Sequence, residues 1–324
     1  MVGLGLDLNW QARVGFQQNS RGLNGHEKKW KVSQALGAFL QQYSRSFDYV
    51  FFSYQPLYSD SLFNDQGFEE QVQAYEGFVE LLDKKLHSKL HLHQTQLNLA
   101  TMDLGHPREL IAQRSNELSQ RLGLRWINED LGIWFLEGRA LDYPLLPIFN
   151  KDSLKACIRN IVYYKAALEV PLVVEFPGFG EGKPLLVGEI CPLEFFKECI
   201  LRSDCDFALD TGHLLACFES LNMGLSEGVD KLLTLPWSRC REIHLAGAAR
   251  IDGRIQDLHH GQFMQEQFEL IDCLLEFAPA TGLCLEDPAF KNNGELISQS
   301  EEALSCLKRK VSYHATKTTD AGLV

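Results

Sequence analysis

The chain has 324 residues, 45% hydrophobic, 10% aromatic and 23% charged, a composition that excludes a disordered or low-complexity protein. Thirty-one Lys and Arg against 43 Asp and Glu leave a net charge of −12, which argues against nucleic acid and anionic membranes as partners. No apolar run reaches about 18 residues and the chain opens directly on MVGLGLDLNW, so neither a membrane span nor a cleavable signal is expected, and the cytoplasm is the expected location.

Short β-branched or aromatic runs alternate with helical periods from end to end. The first run, Val2–Leu8, leads through a long connection, Asn9–Glu27, to a helix over Lys29–Tyr43. Tyr49–Tyr54 follows, then a connection over Gln55–Phe68 and a helix over Glu70–Leu86. Leu90–His93 ends in His93 and precedes a helix over Pro107–Leu122. Leu124–Asn128 runs into Glu129 and Asp130, and a third long connection, Leu131–Asn150, leads to a helix over Asp152–Leu168. Pro171–Glu175 ends in Glu175 and precedes a helix over Pro192–Arg202. Asp206–Asp210 ends in Asp210, with His213 just beyond it. Glu242–Ala246 carries His244 and is followed by Asp257 and His259 in DLHHG, then by a helix over Gln265–Phe277. Leu283–Glu286 ends in Glu286, before a last helix over Glu301–Lys310.

Eight strand-then-helix units predict an α/β protein built as a single closed (β/α)8 barrel, or TIM barrel, over residues 1–310, with 311–324 as a flexible tail. An open doubly wound sheet is disfavoured, because GLGL lacks the G-x-G-x-x-G spacing and no other strand leads into a glycine-rich phosphate loop. In a barrel the loops after strands sit on the catalytic face, so the three long connections are expected to wall a cleft, with Phe16, Tyr58, Phe63, Trp134 and Tyr143 as its aromatic lining. The nine cysteines form no C-x-x-C pair and read as reduced core thiols.

The strand ends carry the chemistry. His93, Glu129, Asp130, Glu175, Asp210, His213, His244, Asp257, His259 and Glu286 come from six successive units and are expected to converge on one rim. Six carboxylates crowded together repel one another unless cations compensate, and few Lys or Arg accompany these positions. Metal ions meet that need. Four imidazoles and six carboxylates with no thiolate suit iron, manganese or zinc, and ten donors suffice for two or three ions, with Glu175, Asp210 and His244 as the expected catalytic centre. Asp257 and His259 are two apart in an extended segment and so share a side, while His91, one pleat below His93, is expected in the core or in a supporting position.

At these residues the sequence resembles the multinuclear non-haem iron-dependent oxidative enzymes, the family that includes the methanobactin-biosynthesis oxidase. HQTQLNLA is similar to that family's H-G-V-S-L-S-I-G, NEDLGIW to its S-[DE]-H-L-x-W, and VVEFPGFG to its L-E-N-P-S. LLPIFNKDSL resembles its L-P-x-P-Y-[ST]-x-E-x-L, and FALDTGHLLA stands where D-V-N-N-V-Y usually stands. The most specific piece is EIHLAG followed by DLHHG, which matches E-I-H-L-A-G-H followed by D-T-H-G. The pattern departs at four places: Asp130 replaces a His, Phe176 and His213 each replace an Asn, and Ala248 replaces a second His. The resemblance implies a xylose-isomerase-like barrel and two or three iron ions, with O2 as co-substrate. It further implies oxidative remodelling of cysteine in a ribosomally made precursor peptide, delivered by a separate partner protein.

Three other readings share parts of the pattern. The series from Glu175 through Asp210, His213, His244, Asp257 and His259 to Glu286 also resembles the trinuclear zinc site of endonuclease IV, and a metal-dependent sugar isomerase or epimerase uses the same barrel. The third is a peptide-binding scaffold on a decayed barrel. The net negative charge disfavours a DNA phosphodiesterase, and no base beside the metal is identifiable for an isomerase.

Overall fold

The computed structural model describes residues 3–8, 34–54, 65–136, 139–179, 184–259, 261–278 and 281–320. Eight strands close a parallel barrel: β1 (Leu4–Leu8), β2 (Tyr49–Tyr54), β3 (Leu90–Gln94), β4 (Leu124–Asp130), β7 (Leu172–Glu175), β8 (Asp206–Asp210), β9 (Cys240–Leu245) and β12 (Gly282–Glu286). They neighbour one another in chain order, and β12 pairs with β1 to close the ring. The expected strands all form, two of them, Tyr49–Tyr54 and Asp206–Asp210, with the expected bounds. Of the expected cleft wall, Phe16, Tyr58, Phe63 and most of the two connections that carry them lie outside the described residues.

Helices α1 (Gln34–Tyr43), α2 (Asp65–Val79), α3 (Arg108–Leu122), α4 (Lys151–Ala167), α5 (Pro192–Ser203), α6 (Thr211–Ser220), α7 (Leu225–Leu232), α8 (Gln265–Phe277) and α9 (Ser298–Asp320) surround the barrel. Their ends follow local chemistry. Asn150 caps α4 by accepting the Asp152 and Ser153 amides at 3.1 and 2.9 Å, Pro192 opens α5, and Gly123 ends α3 at φ +66°. The main apolar cluster lies between strands and helices: Leu4, Leu6 and Leu8 of β1 face outward onto it, with Phe39 and Leu40 of α1 and Ala303, Leu304 and Leu307 of α9 in the same layer. Among the described residues no helix is long and apolar enough to cross a membrane.

Three features differ from the sequence reading. Two antiparallel hairpins sit in connections that follow strands: β5 (Ile133–Leu136) with β6 (Arg139–Leu145), and β10 (Ala248–Ile251) with β11 (Arg254–Asp257). The second turns on Asp252 and Gly253 at φ +49° and +76°, the left-handed pair that a two-residue Asp-Gly turn requires. Helices α6 and α7 were not anticipated; α6 is buried along most of its length, so it shows no amphipathic period. Finally, α9 runs on past Lys310, where a flexible tail was expected, because Leu307, Val311 and His314 recur at helical spacing and keep one face against the protein.

Candidate metal centre

Strand alternation decides which side chains enter the barrel. Asp7 pairs in register with Glu286, Asp130 with Glu175, and Asp210 with His244, so the C-terminal ends of six strands present donors at a common level. Asp7, His93, Asp130, Glu175, Asp210, His244 and Glu286 are all buried there. The turn after β8 adds His213, and hairpin β10–β11 with the segment after it adds Asp257 and His259.

Each imidazole is oriented by a second bond. His93 Nδ1 lies 2.8 Å from Asp7 Oδ2, leaving Nε2 directed at Asp130 and Glu175, 3.6 and 3.9 Å away. His213 Nδ1 lies 2.9 Å from the Phe176 carbonyl and 3.7 and 3.8 Å from Asp130 and Glu175, and Nε2 lies 2.9 Å from Asp257 Oδ2. His244 is held through Nε2 by Glu242 at 3.3 Å, so Nδ1 faces Glu286 and Glu175 at 3.1 and 3.4 Å. His259 bridges Asp257 and Glu286 at 3.0 and 3.1 Å from a left-handed backbone, φ +45°. Such a conformation is uncommon outside glycine and marks a position fixed by its surroundings.

The carboxylates are equally constrained. Asp210 caps α6 through the Gly212 and His213 amides and accepts the Ala246 amide at 3.1 Å. Asn128 donates to Glu175 Oε2, and the Tyr143 hydroxyl donates to Asp257 at 2.7 Å. Tyr143 reaches over from hairpin β5–β6 because Gly178 leaves room: a Cβ there would overlap its hydroxyl. Burial alone would lower the four imidazole pKa values, yet the surrounding carboxylates raise them all well above the ordinary value. Burial raises Glu175 to about 7 and raises Asp210. It opposes the ionised forms of Asp257 and Glu286 too, but their imidazole partners hold both below the usual carboxylate range.

Four groups of three donors lie within coordination reach of one another: Asp130, Glu175 and His213; Glu175, Asp210 and Glu286; Asp7, His244 and Glu286; and His213, Asp257 and His259. Shared use of Glu175, Glu286 and His213 makes these one continuous cluster, suited to more than one ion with bridging carboxylates. Asp130 Oδ1 and Glu175 Oε1 are buried without a hydrogen-bond partner, as expected of oxygens meant for a cation. The donor set is carboxylate and imidazole throughout, with no thiolate in any group among the described residues. These residues fit a multinuclear metal centre.

His93, 3.6 and 3.9 Å from Asp130 and Glu175, lies beside these groups, and eight of the other nine expected ligands meet within them. Glu129 does not: alternation between the inward Asn128 and Asp130 turns it to the outer face of β4, where Oε2 accepts the Leu97 amide at 2.7 Å and burial raises its pKa well above the ordinary value. The sequence reading missed Asp7, Asn128 and Glu242. Asp7 carried a signal, as the acidic residue at the C-terminal end of β1, in step with Glu286. Of the predicted aromatic lining, Trp134 is buried on β5 and Tyr143 touches the centre through Asp257.

Residues 69–308 match the model of the family described as RiPP precursor modification enzyme MbnB/TglH/ChrH, RiPP denoting ribosomally synthesised, post-translationally modified peptides. No curated protein matches the sequence. Among solved structures the chain is similar to L-ribulose 3-epimerase, at 13% identity and TM-score 0.53, covering 99% of this chain and 98% of that one. A xylose isomerase-like TIM barrel protein from Mycobacterium smegmatis in complex with magnesium shares 14% identity at TM-score 0.53, over 94% and 97% of the two chains. Endonuclease IV from Thermus thermophilus shares 12% identity at TM-score 0.50, over 95% and 99%. These likenesses show the fold, a (β/α)8 barrel.

Proposed function

The chain belongs to the MbnB/TglH/ChrH family of RiPP precursor modification enzymes, and from its site we propose that it oxidises cysteine residues of a ribosomally made precursor peptide, using two or three iron ions and O2. The carrying observation is the continuous carboxylate–imidazole cluster shared through Glu175, Glu286 and His213. A separate partner protein presents the peptide, and the reaction takes place in the cytoplasm. Bound iron supplies the electron chemistry, with O2 as acceptor.

The protein's own residues supply geometry and charge. Glu175, Asp210, His244 and Glu286, fixed on strands β7, β8, β9 and β12, hold the inner part of the centre. Asp7 and Glu242 orient His93 and His244, and the Phe176 carbonyl orients His213. Tyr143 ties the outer carboxylate Asp257 to the hairpin above it, so a peptide entering over β5–β6 would meet Tyr143 and His259 first. The epimerase reading rests on the shared barrel alone; the endonuclease reading adds a similar ligand series but is disfavoured by the net charge of −12.

Anaerobic purification and elemental analysis, followed by incubation with a cysteine-containing peptide from any short open reading frame found beside this gene, test the proposal. Two or three iron ions per chain and an O2-dependent mass change at peptide cysteines are expected. Stoichiometric zinc, with no O2 uptake, would overturn it in favour of a hydrolase.

A further inference from the structure

Beneath the metal-binding rim, the barrel interior departs from the Val, Ile and Leu packing usual in this fold. Tyr49 and Phe51 of β2 and Cys284 of β12 form an apolar cluster of their own inside the ring, with the half-buried Trp126 of β4 packed against it. Two glycines on adjacent strands admit the Tyr49 ring: a Cβ at Gly5 or Gly282 would overlap it. His91 stacks on Trp126 with ring centroids 3.4 Å apart, and Tyr49 lies 5.0 Å from His91 and 6.2 Å from Trp126.

This floor touches the rim. The Phe51 ring is 5.6 Å from His244, and the Tyr49 ring, whose hydroxyl is buried with no hydrogen-bond partner, lies 6.0 Å from Phe51. At the other end Trp126, near the start of β4, is the partly exposed member of the group. Trp126 Nε1 and His91 Nδ1 are buried with no hydrogen-bond partner, an unfavourable arrangement that aliphatic side chains would avoid. Tyrosine and tryptophan are also the aromatic side chains most readily oxidised by one electron, and through Phe51 and His91 they form a chain of ring contacts from His244 to the half-buried Trp126.

We propose that Tyr49 and Trp126, bridged by His91, form an electron path through the barrel that quenches the oxidised metal centre when no peptide occupies the rim. The proposal rests on the oxidative reading of the site. In the first step Trp126 gives one electron to the centre across the His91, Tyr49 and Phe51 rings and is left as a radical cation, with no proton moved. A low-molecular-weight thiolate in solution returns one electron to the Trp126 radical cation, and two of the resulting thiyl radicals couple to a disulfide. The path spares the imidazole ligands and the buried Cys284 thiol from oxidation.

The full chain, loaded anaerobically with Fe(II), is exposed to O2 without peptide and examined by freeze-quench electron paramagnetic resonance, iron analysis and mass-spectrometric mapping of oxidised residues. The wild type should show a transient aromatic radical that added thiol shortens. Trp126→Phe and Tyr49→Phe should keep their iron, lose or alter that signal, and inactivate several-fold faster, with oxidation moving to the rim histidines and Cys284. Trp237→Phe, on the outer wall against Phe207 and Phe277, should match the wild type. Both path variants keeping full iron, the wild-type radical and the wild-type inactivation rate would overturn the path and leave the oxidative reading intact. A wild type that takes up no iron or consumes no O2 would overturn both.

Discussion

His91 and His93 stand two residues apart on β3, both directed into the barrel, and their surroundings drive them in opposite directions. Burial lowers the His91 pKa, and the nearby Arg125 lowers it further. At His93 burial acts in the same sense but is overridden by Asp7, Asp130 and Glu175, which raise the pKa well above the ordinary value. Floor and rim are therefore two electrostatic environments in one tube: an aromatic, neutral layer below, and above it a layer whose carboxylates call for positive charge. Without metal, protonated imidazoles can supply that charge; with metal, the ions replace them.

Removing a rim donor should have the largest effect, because solvent replaces a strand-held ligand poorly. Glu175→Ala or His244→Ala is expected to abolish O2-dependent turnover and lower metal content. If both variants kept full metal and full activity, the rim would not be the reactive layer. Asp7→Asn tests a residue that orients His93 and also stands in a donor group with His244 and Glu286. It keeps the size of a side chain that orients His93 but removes its charge, so metal affinity should fall by roughly 10–100-fold, as for other groups that fix a ligand imidazole. Titration of the apo protein with Fe(II) measures this, and unchanged affinity would show that His93 needs no such support.

Asp130 and His213, two departures from the family pattern, meet in a single group with Glu175, His213 Nδ1 lying 3.7 Å from Asp130 Oδ1. A carboxylate stands where the family has an imidazole, and an imidazole where it has an amide, so the local imidazole count is preserved by exchange. Asp130→His is accordingly expected to leave bound iron unchanged, read by elemental analysis; a rise towards three per chain would mean that the departure at Asp130 tunes the metal count.

Much of this was legible in the sequence. The eight strands announce themselves because parallel barrel strands are short apolar runs, and the donors at their ends follow from one shared register. Glu129 shows where residue type misleads: three polar residues in a row, Asn128 to Asp130, cannot all face one side of a strand, and period-two alternation sends the middle one outward. Hairpin β10–β11 was signalled by Asp252-Gly253, whereas helix α6 had no signal because it is buried on nearly every side. Asp7 and Glu242 became meaningful only through three-dimensional pairing, since each acts on an imidazole from within the ring.

Metal removal probes the rim as a whole. Ions bound only by the folded state stabilise it, so chelation should lower the melting temperature by about 5 °C or more. The size of that drop should depend on pH. The four rim histidines have raised pKa values when metal-free, so the stability they lend the apo protein is fully present below about pH 6.5 and is lost as pH rises through their folded values. Bound metal removes that dependence. Chelation should therefore destabilise the protein more at pH 8 than at pH 6, and an equal drop at both would mean that protonated imidazoles do not balance the empty rim.

The smallest expected effect belongs to the floor and has the opposite sign. His91 keeps its neutral form in the folded protein to a pH below that at which the unfolded chain takes up its proton, near 6.5. Below that point the unfolded state binds more protons, so stability falls with pH until the lowered folded value is reached. His91→Phe preserves a ring against Trp126 and deletes the titration. The unfolding free energy of the variant relative to wild type, read by denaturant titration, should rise as pH is lowered from 7 to 5, with a limiting slope of about 1.4 kcal/mol per pH unit. Taking the difference between the two proteins cancels what the rim contributes to both. A difference that stays constant across this range would mean that His91 is protonated where it stands, and the floor would then share the electrostatics of the rim.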